Sequence, residues 1–297
     1  MVLDTPSLYF RAFYGIPESI TAPDGSPVNA VRGLIDMIAT LVRKHSPAEL
    51  AATMDADWRP AFRVAAIPTY KAHRVAHGNT EVVPDALVPQ IAVIQEVLDA
   101  LGIARLESAG YEADDVIGTL THRSGGAVDI VTGDRDLFQL VDDARPVRVL
   151  YTVRGIRNLQ IVDEAFVTAK YGVPGRAYAD FATLRGDPSD GLPGVSGVGE
   201  KTAAALITRF GSLEALLEAL DGGVTDGFPA GSRTRLAAAR DYLSAAPAVV
   251  KVAHDAPLPA ADLALPAKPR DPEALVRLAD RYGLDGPLNR LLDVLGG

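Results

Sequence analysis

The run Ala127-Val128-Asp129-Ile130-Val131-Thr132-Gly133-Asp134-Arg135-Asp136 decides how this chain folds. Its first half is a short apolar stretch that reads as a buried strand. Its second half turns at Gly133 and sets two carboxylates one residue apart. Successive residues of an extended chain point to opposite faces, so Asp134 and Asp136 share one side if the chain stays extended past the strand end. A second acidic stretch, Glu112-Ala113-Asp114-Asp115, stands where a helix is expected to begin. Within a helix Glu112 and Asp114 would be about 200° apart. Both face one point if Glu112 lies in the entry turn and Asp114 and Asp115 lie in the first helical turn, where the helix dipole also favours negative charge. Five carboxylates at the ends of two elements repel one another unless a divalent cation sits between them. An all-oxygen set suits Mg²⁺ or Mn²⁺ rather than zinc. Helix caps and surface charges would explain one such pair. Two pairs, with further acids at other element ends, favour the cation.

Upstream the same arrangement repeats. Val2-Leu3-Asp4 reads as a strand ending in an acid, and Ala51-Ala52-Thr53-Met54 as a weaker one ending at Asp55. Between them Thr5-Pro6-Ser7 starts a helix with Pro6 in its first turn, an apolar side of Leu8, Tyr9, Ala12 and Phe13, and Arg11 projecting. Val31 to Val42 forms an amphipathic helix, and Pro84 to Leu101 another whose Leu87, Ile91, Ile94 and Leu98 are core. This alternation is that of an α/β fold, in which sites gather at the carboxyl ends of parallel strands. Downstream, Val147 to Val153 and Leu159 to Val162 read as strands. Asp163 reads as a helix cap, Ala177 to Leu184 as a helix, and Gly186-Asp187-Pro188-Ser189-Asp190 as an acidic turn.

Two further stretches point to phosphate. Arg59, Arg63, Lys71, His73 and Arg74 are interleaved with Trp58, Phe62 and Tyr70, a mixture that suits a nucleic-acid backbone and stacked bases; a solvated helix face is the alternative. His73 and His77 are expected near solvent or phosphate, and Val75 to Val83, with Gly78-Asn79, is expected to be a loop. The second stretch is Gly191-Leu192-Pro193-Gly194-Val195-Ser196-Gly197-Val198-Gly199-Glu200-Lys201-Thr202-Ala203, a glycine-punctuated hairpin before an alanine-rich helix from Lys201 to Arg209. Glycines let backbone approach a phosphate, and a helix start offers free N–H groups. Lys201 at that start opposes the helix dipole but favours phosphate. The P-loop spacing is not met.

Composition sets the bounds. The 297 residues suggest two domains, or one large domain with an appendage, and 48% hydrophobic content allows a substantial core. Absence of cysteine excludes disulfides and thiolate-bound zinc and fits a cytosolic home. The five histidines have no metal-binding spacing. No secretory leader is expected, since Met1-Val2-Leu3-Asp4 runs straight into a strand, and no apolar run approaches the ~18 residues of a membrane span. A net charge of −9 taken alone argues against nucleic acid, but the placement of the acids matters more than their total.

The ordered run from Gly110-Tyr111-Glu112-Ala113-Asp114-Asp115-Val116-Ile117-Gly118, through Thr132-Gly133-Asp134-Arg135-Asp136 and Gly186-Asp187-Pro188-Ser189-Asp190, to Gly194-Val195-Ser196-Gly197-Val198-Gly199-Glu200-Lys201-Thr202-Ala203 resembles the 5′ nuclease (flap endonuclease) family, in particular the N-terminal exonuclease domain of bacterial DNA polymerase I. No polymerase portion follows, so a stand-alone nuclease is expected. The resemblance implies a mainly parallel sheet flanked by helices, a PIN-like nuclease core over residues 1–184. It also implies a helical arch near 58–90, and a helical DNA-binding portion over 185–297 whose hairpin, 191–209, is a helix-three-turn-helix. It implies that Asp4, Asp55, Glu112, Asp114, Asp115, Asp134, Asp136, Asp187 and Asp190 hold two or more Mg²⁺ or Mn²⁺ ions. Lys71, Arg74 and Arg11 would act on the scissile phosphate, and the Val195 and Val198 carbonyls would hold K⁺. Arg63, Tyr70, Gly197, Gly199, Lys201 and Thr202 would contact DNA. Two departures from the family pattern are Thr5, where a glycine is usual, and the longer stretch from Val75 to Pro84.

The implied activity is structure-dependent hydrolysis of DNA at 5′ ends, flaps, nicks or gaps, RNA-primed ends included, during replication and repair. A functional link to a polymerase and a ligase, a monomer and a nucleoid-associated cytoplasmic location go with it. The nine assigned acids equal the net charge of −9, which leaves the rest of the chain balanced and able to meet DNA. Two other functions fit the same residues less well: a DNA-structure-binding module with a dead site, which the intact acids oppose, and a metal-dependent phosphatase, which the hairpin and the basic–aromatic stretch oppose.

Overall fold

The short apolar runs become strands, in chain order β1 Val2–Asp4, β2 Ala51–Thr53, β3 Val75–His77, β4 Thr80–Glu81, β5 Ala104–Leu106, β6 Val128–Thr132, β7 Val147–Tyr151 and β8 Gln160–Val162. The structure is a computed structural model that describes residues 1–78 and 80–296. Six of the strands form one sheet in the order β5-β2-β1-β6-β7-β8, parallel throughout except for β8, which runs antiparallel to β7. From β1 the chain runs outward to β2 and β5, then returns to place β6 on the other side of β1. The crevice beyond the carboxyl ends of β1 and β6 is therefore the switch point where open α/β sheets bind ligands.

The helices of the first part are α1 Thr5–Gly15, α2 Asn29–His45, α3 Ala61–Ala66, α4 Val88–Leu101, α5 Ala113–Arg123, α6 Glu164–Tyr171 and α7 Tyr178–Arg185. They are followed by α8 Glu200–Phe210, α9 Leu213–Asp221, α10 Ser232–Ala238, α11 Arg240–Ala245, α12 Pro247–Val250, α13 Pro272–Tyr282 and α14 Asp285–Leu295. Alternate strand residues feed two cores. Val2, Ile130 and Val149 face a core shared with Phe138, Tyr178, Phe181, Leu206 and Leu236, whereas Leu3, Val131 and Leu150 face one shared with Leu34, Ile38, Ile94, Leu278 and Leu291.

The sheet therefore has α8–α12 on one side, and α13 and α14 return to pack on α4 and α2 on the other. The last two helices belong with the sheet, not with the helical portion 185–297 to which the sequence assigns them. α13 has a strongly one-sided apolar pattern, with Leu275, Leu278 and Ala279 buried, and such a stripe packs wherever a matching face is free.

The segment near 58–90 is not a helical arch. It holds the one-and-a-half turns of α3, a 3₁₀ turn at Ala72–Arg74 and the antiparallel hairpin β3–β4. Pro60, Pro68 and Pro84 punctuate it, and Val75, Thr80, Val82 and Val83 favour extended backbone. The loop expected at Val75 to Val83 is thus a short hairpin; Asn79 lies outside the described residues. Pro84 likewise starts a turn, and the helix proper begins at Val88.

Candidate metal and phosphate site

The acids are fixed by local structure at the switch point. Asp4 ends β1 and caps α1, its Oδ1 accepting from the Ser7 N–H at 3.2 Å while its Oδ2 accepts from the Thr132 hydroxyl at 2.5 Å. That hydroxyl accepts from the Asp134 N–H at 2.8 Å, and Asp134 Oδ1 accepts from the Asp136 N–H at 2.8 Å. Asp134 and Asp136 thus line the same cleft through a turn rather than through continued extension. Gly133 makes the turn possible: its N–H donates to Ser7 Oγ at 2.9 Å, and a Cβ there would sit 2.8 Å from that oxygen. On the other side Asp55 Oδ1 accepts from the Ala113 N–H at 2.7 Å, docking the start of α5 onto the end of β2.

These carboxylates sense one another. Burial, with the charges of Asp134 and Asp55, pushes Asp4 up to about 7 against hydrogen bonds from Thr132 and Ser7 that oppose the rise. Asp114 is held well above the usual range by burial, then by Asp4, Asp134 and Glu112, and Asp55 is raised by burial and Glu112. Asp136 is held high by burial, then by Asp134, Asp190 and Asp187, and its buried Oδ1 has no hydrogen-bond partner. Two acid groups emerge, one of Asp4, Asp55, Glu112 and Asp114, the other of Asp136, Asp187 and Asp190. Asp134 belongs to both.

Protein cations face them. Lys71 pairs with Glu112, whose charge outweighs the effect of burial and keeps the ammonium well above its ordinary pKa. Arg74 reaches Asp190 at 2.8 Å, and Arg135 reaches Asp187 at 2.9 Å. Asp187 stays below the ordinary carboxylate value: burial would raise it, but hydrogen bonds from Ser189 and Arg135 prevail. Lys71 adopts a left-handed backbone, φ 47°, and its N–H donates to the Asp190 carbonyl at 2.9 Å, so the basic stretch is pinned to the acidic turn. A non-glycine residue in that conformation is uncommon and clusters at functional sites. With Glu112, Asp190 and Asp187 turned to these cations, the described residues contain no ready-made group of three or more acids or histidines set around an ion. The donor set nevertheless fits hard divalent cations. It is all oxygen, its negative charge is in excess as the raised carboxylates show, and Asp136 offers an uncommitted oxygen.

Other candidate residues lie elsewhere. Arg63 and Tyr70 are not DNA-facing: both are buried, Arg63 in ion pairs with Glu112 and Asp115, and Tyr70 donating its hydroxyl to Glu112 at 2.7 Å. Asp115 points away from the cleft. Its oxygens accept from Arg63, the Glu112 N–H at 3.1 Å and the Ala253 N–H at 2.8 Å, because the third residue of a helix is placed to cap its own start. Arg11 is half-buried on α1 and does not line the acid cleft; its charge acts on Tyr151. In the hairpin Val195 and Val198 bury their side chains, and the Val195 carbonyl accepts from the Val198 N–H at 2.9 Å. Gly197, Gly199 and Lys201 are exposed and Thr202 is half-buried, with Arg235 donating to the Gly197 carbonyl at 3.0 Å. Thr5, at the position where glycine is usual, is fully buried.

Sequence reasoning misses Thr132, Ser7 and Gln139. Gln139 clamps the turn after Asp136, donating to the Asp136 carbonyl at 2.8 Å and the Val250 carbonyl at 3.0 Å and accepting from the Val252 N–H at 3.1 Å. Hydroxyls two residues before Asp134 and three after Asp4 were the available signal for the first two; no local pattern marks the third.

The chain matches two family models, the 5′-3′ exonuclease N-terminal resolvase-like domain over residues 1–172 and the 5′-3′ exonuclease C-terminal SAM fold over residues 173–273. It is 61% identical over 300 residues to a 5′-3′ exonuclease of Streptomyces coelicolor, covering 99% of each chain. It is 46% identical over 225 residues to the DNA polymerase I of Mycobacterium tuberculosis, a match that takes in 74% of this chain and 24% of that one. Among solved structures the bacteriophage T5 D15 flap endonuclease, in a pseudo-enzyme-product complex with DNA and metal ions, shares the fold with a TM-score of 0.66 at 16% identity, over 100% of this chain and 99% of that one. No helix of the described residues is long and apolar enough to cross a membrane. These matches, over a chain that carries an acid-lined switch point, show that it belongs to the 5′-3′ exonuclease family.

Proposed function

We propose that this chain hydrolyses phosphodiester bonds near the 5′ end of a DNA strand, at flaps, nicks or gaps, with two Mg²⁺ or Mn²⁺ ions. The observation that carries the reading is the pair of acid groups joined at Asp134, the first of which lines a cleft of about 250 Å³ together with Lys71 and Arg74. Asp4, Asp55, Glu112, Asp114 and Asp134 would hold one ion, and Asp134, Asp136, Asp187 and Asp190 the other. When bound, such ions supply a nucleophile at neutral pH and stabilise the attacking and leaving oxygens. The carboxylates' part is to set the ions' positions. As they engage ions, Lys71 and Arg74 are freed to neutralise charge on the phosphate. Arg11 would reach a flanking phosphate.

Sequence-independent grip on the duplex falls to the hairpin, with K⁺ held by the Val195 and Val198 carbonyls and phosphate at Gly197, Gly199, Lys201 and Thr202. The polymerase I relative supports work beside a polymerase; a place in replication and repair with a ligase, RNA-primed ends among the substrates and a bacterial cytoplasm would go with it. The protein would act as a monomer. Residues 1–184, with Asp187 and Asp190 of the turn that follows, would carry the chemistry, and the hairpin side of the helical portion the duplex contact.

A 5′-labelled flap duplex incubated with Mg²⁺ or Mn²⁺ tests this. Short labelled products are expected. Bound but intact DNA would instead support a binding module, and release of terminal phosphate alone a phosphatase. Crystals soaked in Mn²⁺ are expected to show anomalous peaks among Asp114, Asp134 and Asp136; peaks confined to unrelated surface sites would remove the metal assignment. For the hairpin, Lys201→Ala is expected to weaken flap-duplex binding several-fold and to lower the slope of log K against log salt by about 1, the signature of one lost phosphate contact. An unchanged slope would take Lys201 off the DNA.

A further inference from the structure

Arg63 is the most enclosed cation beside the acids, with its side chain 3% exposed. Its guanidinium takes Asp115 in a fork, Nη1 to Oδ2 at 2.9 Å and Nη2 to Oδ1 at 2.7 Å. Nη1 also pairs with Glu112 Oε2, and Nε donates to the Val249 carbonyl of α12 at 3.1 Å. The rings of Phe62 and Tyr70 lie 5.2 and 5.9 Å from its centre. Glu112 is consequently held at both oxygens, by Arg63 and Tyr70 on Oε2 and by Lys71 on Oε1, all from residues 63–71.

We propose that Arg63 is a positioning residue for the cleavage reaction: it fixes the direction of Glu112, and with it the Lys71 ammonium, and ties both to the helical portion through Val249. The inference rests on the proposed role of Glu112 at the ions. Charge neutralisation alone does not account for the arrangement. Asp115 already accepts two backbone N–H groups, from Glu112 and Ala253, and Tyr70 and Lys71 already serve Glu112. What Arg63 adds is rigidity, since a planar fork locked on one carboxylate leaves its remaining N–H groups a single direction in which to point. Reaction rate is sensitive to that direction, because a misplacement of about 1 Å can cost about 10²-fold.

The competing role is purely structural, as the counter-ion that lets Asp115 stay buried. A double-mutant cycle separates the two. In the Asp115→Asn background the buried charge is gone, so adding Arg63→Met should leave the melting temperature near that of Asp115→Asn alone. The proposal expects Arg63→Met still to lower kcat on a flap duplex by about 10²-fold in that background, with KM for DNA little changed, and to weaken Mn²⁺ binding measured by calorimetry on stripped protein. A further loss in kcat below two-fold, with Mn²⁺ binding unchanged, would overturn it. Should the double variant not fold, Arg63→Lys in the otherwise native chain decides: charge is kept and the fork lost, and wild-type kcat and Mn²⁺ affinity there would overturn the proposal. A native protein that neither binds Mn²⁺ nor cleaves would count against the proposed function itself. A native protein that does both, with an unresponsive cycle, counts against Arg63 alone.

Discussion

Asp134→Asn is expected to lower flap cleavage by at least about 10²- to 10³-fold while binding to the same duplex, in metal-free buffer, holds or tightens. The charge of Asp134 acts on both acid groups, being felt at Asp4 and Asp114 on one side and at Asp136 and Asp190 on the other. Losing it would weaken both of the proposed ion sites at once. Asparagine keeps the Oδ1 acceptor that receives the Asp136 N–H, so the turn survives. Without metal the charge is only a liability to DNA, and a unit-charge repulsion near a phosphate is worth ~1–4 kcal/mol between water-like and surface-like screening. The melting temperature should not fall, since the neighbouring acids lose a repulsive partner. Cleavage rate, anisotropy with chelator and thermal melting on one preparation check all three. A folded Asp134→Asn protein that cleaves at the native rate would end the two-ion reading.

What the sequence discloses is what lies close along the chain. Acids after apolar runs predict carboxylates at strand ends: Asp4 ends β1, and Asp134 and Asp136 stand in the turn that follows β6. Asp163 reads as a cap and accepts from the Phe166 N–H at 2.8 Å. Arg63 is misread because a cation among aromatics looks the same in two roles, solvated or buried. Its carboxylate partners are 49 and 52 residues downstream, and only the docking of α3 against α5 brings them together. The return of α13 and α14 to the sheet is hidden for the same reason: a stripe says that a face is buried, not against what. The hairpin β3–β4 escapes because the resemblance supplies a helical arch where the β-branched residues Val75, Thr80, Val82 and Val83 favour extended backbone.

The glycines of the acidic turn and the hairpin make a second strong test, because here backbone meets backbone. Gly194 has φ 63°, and a Cβ on it would lie 2.5 Å from the Arg185 carbonyl oxygen and 2.5 Å from the Gly186 nitrogen. Gly186 faces it with φ 81°, its own Cβ position 2.6 Å from the Gly194 nitrogen. The close approach lets the turn carrying Asp187 and Asp190 lie against the hairpin, where Asp187 and Leu192 exchange hydrogen bonds at 2.9 and 2.8 Å and the Val195 N–H donates to the Leu184 carbonyl at 2.9 Å. No rotamer change can relieve such a clash, so Gly194→Ala must move main chain. A left-handed conformation for an L-residue costs ~1–2 kcal/mol and overpacking typically ~1–3 kcal/mol. The sum, about 2–5 kcal/mol, is a large share of a usual stability of about 5–15 kcal/mol. Gly15→Ala is the control, since nothing lies within 4 Å of its Cβ position and its φ is not positive. Gly194→Ala is therefore expected to melt well below both the native protein and Gly15→Ala. Its surviving folded fraction should lose cleavage and duplex binding together, because the displaced segment carries acids on one side and the hairpin on the other. That joint loss distinguishes it from Asp134→Asn, which separates the two. A Gly194→Ala protein that melts with Gly15→Ala and keeps both properties would show that the turn and the hairpin are not mechanically joined at this contact.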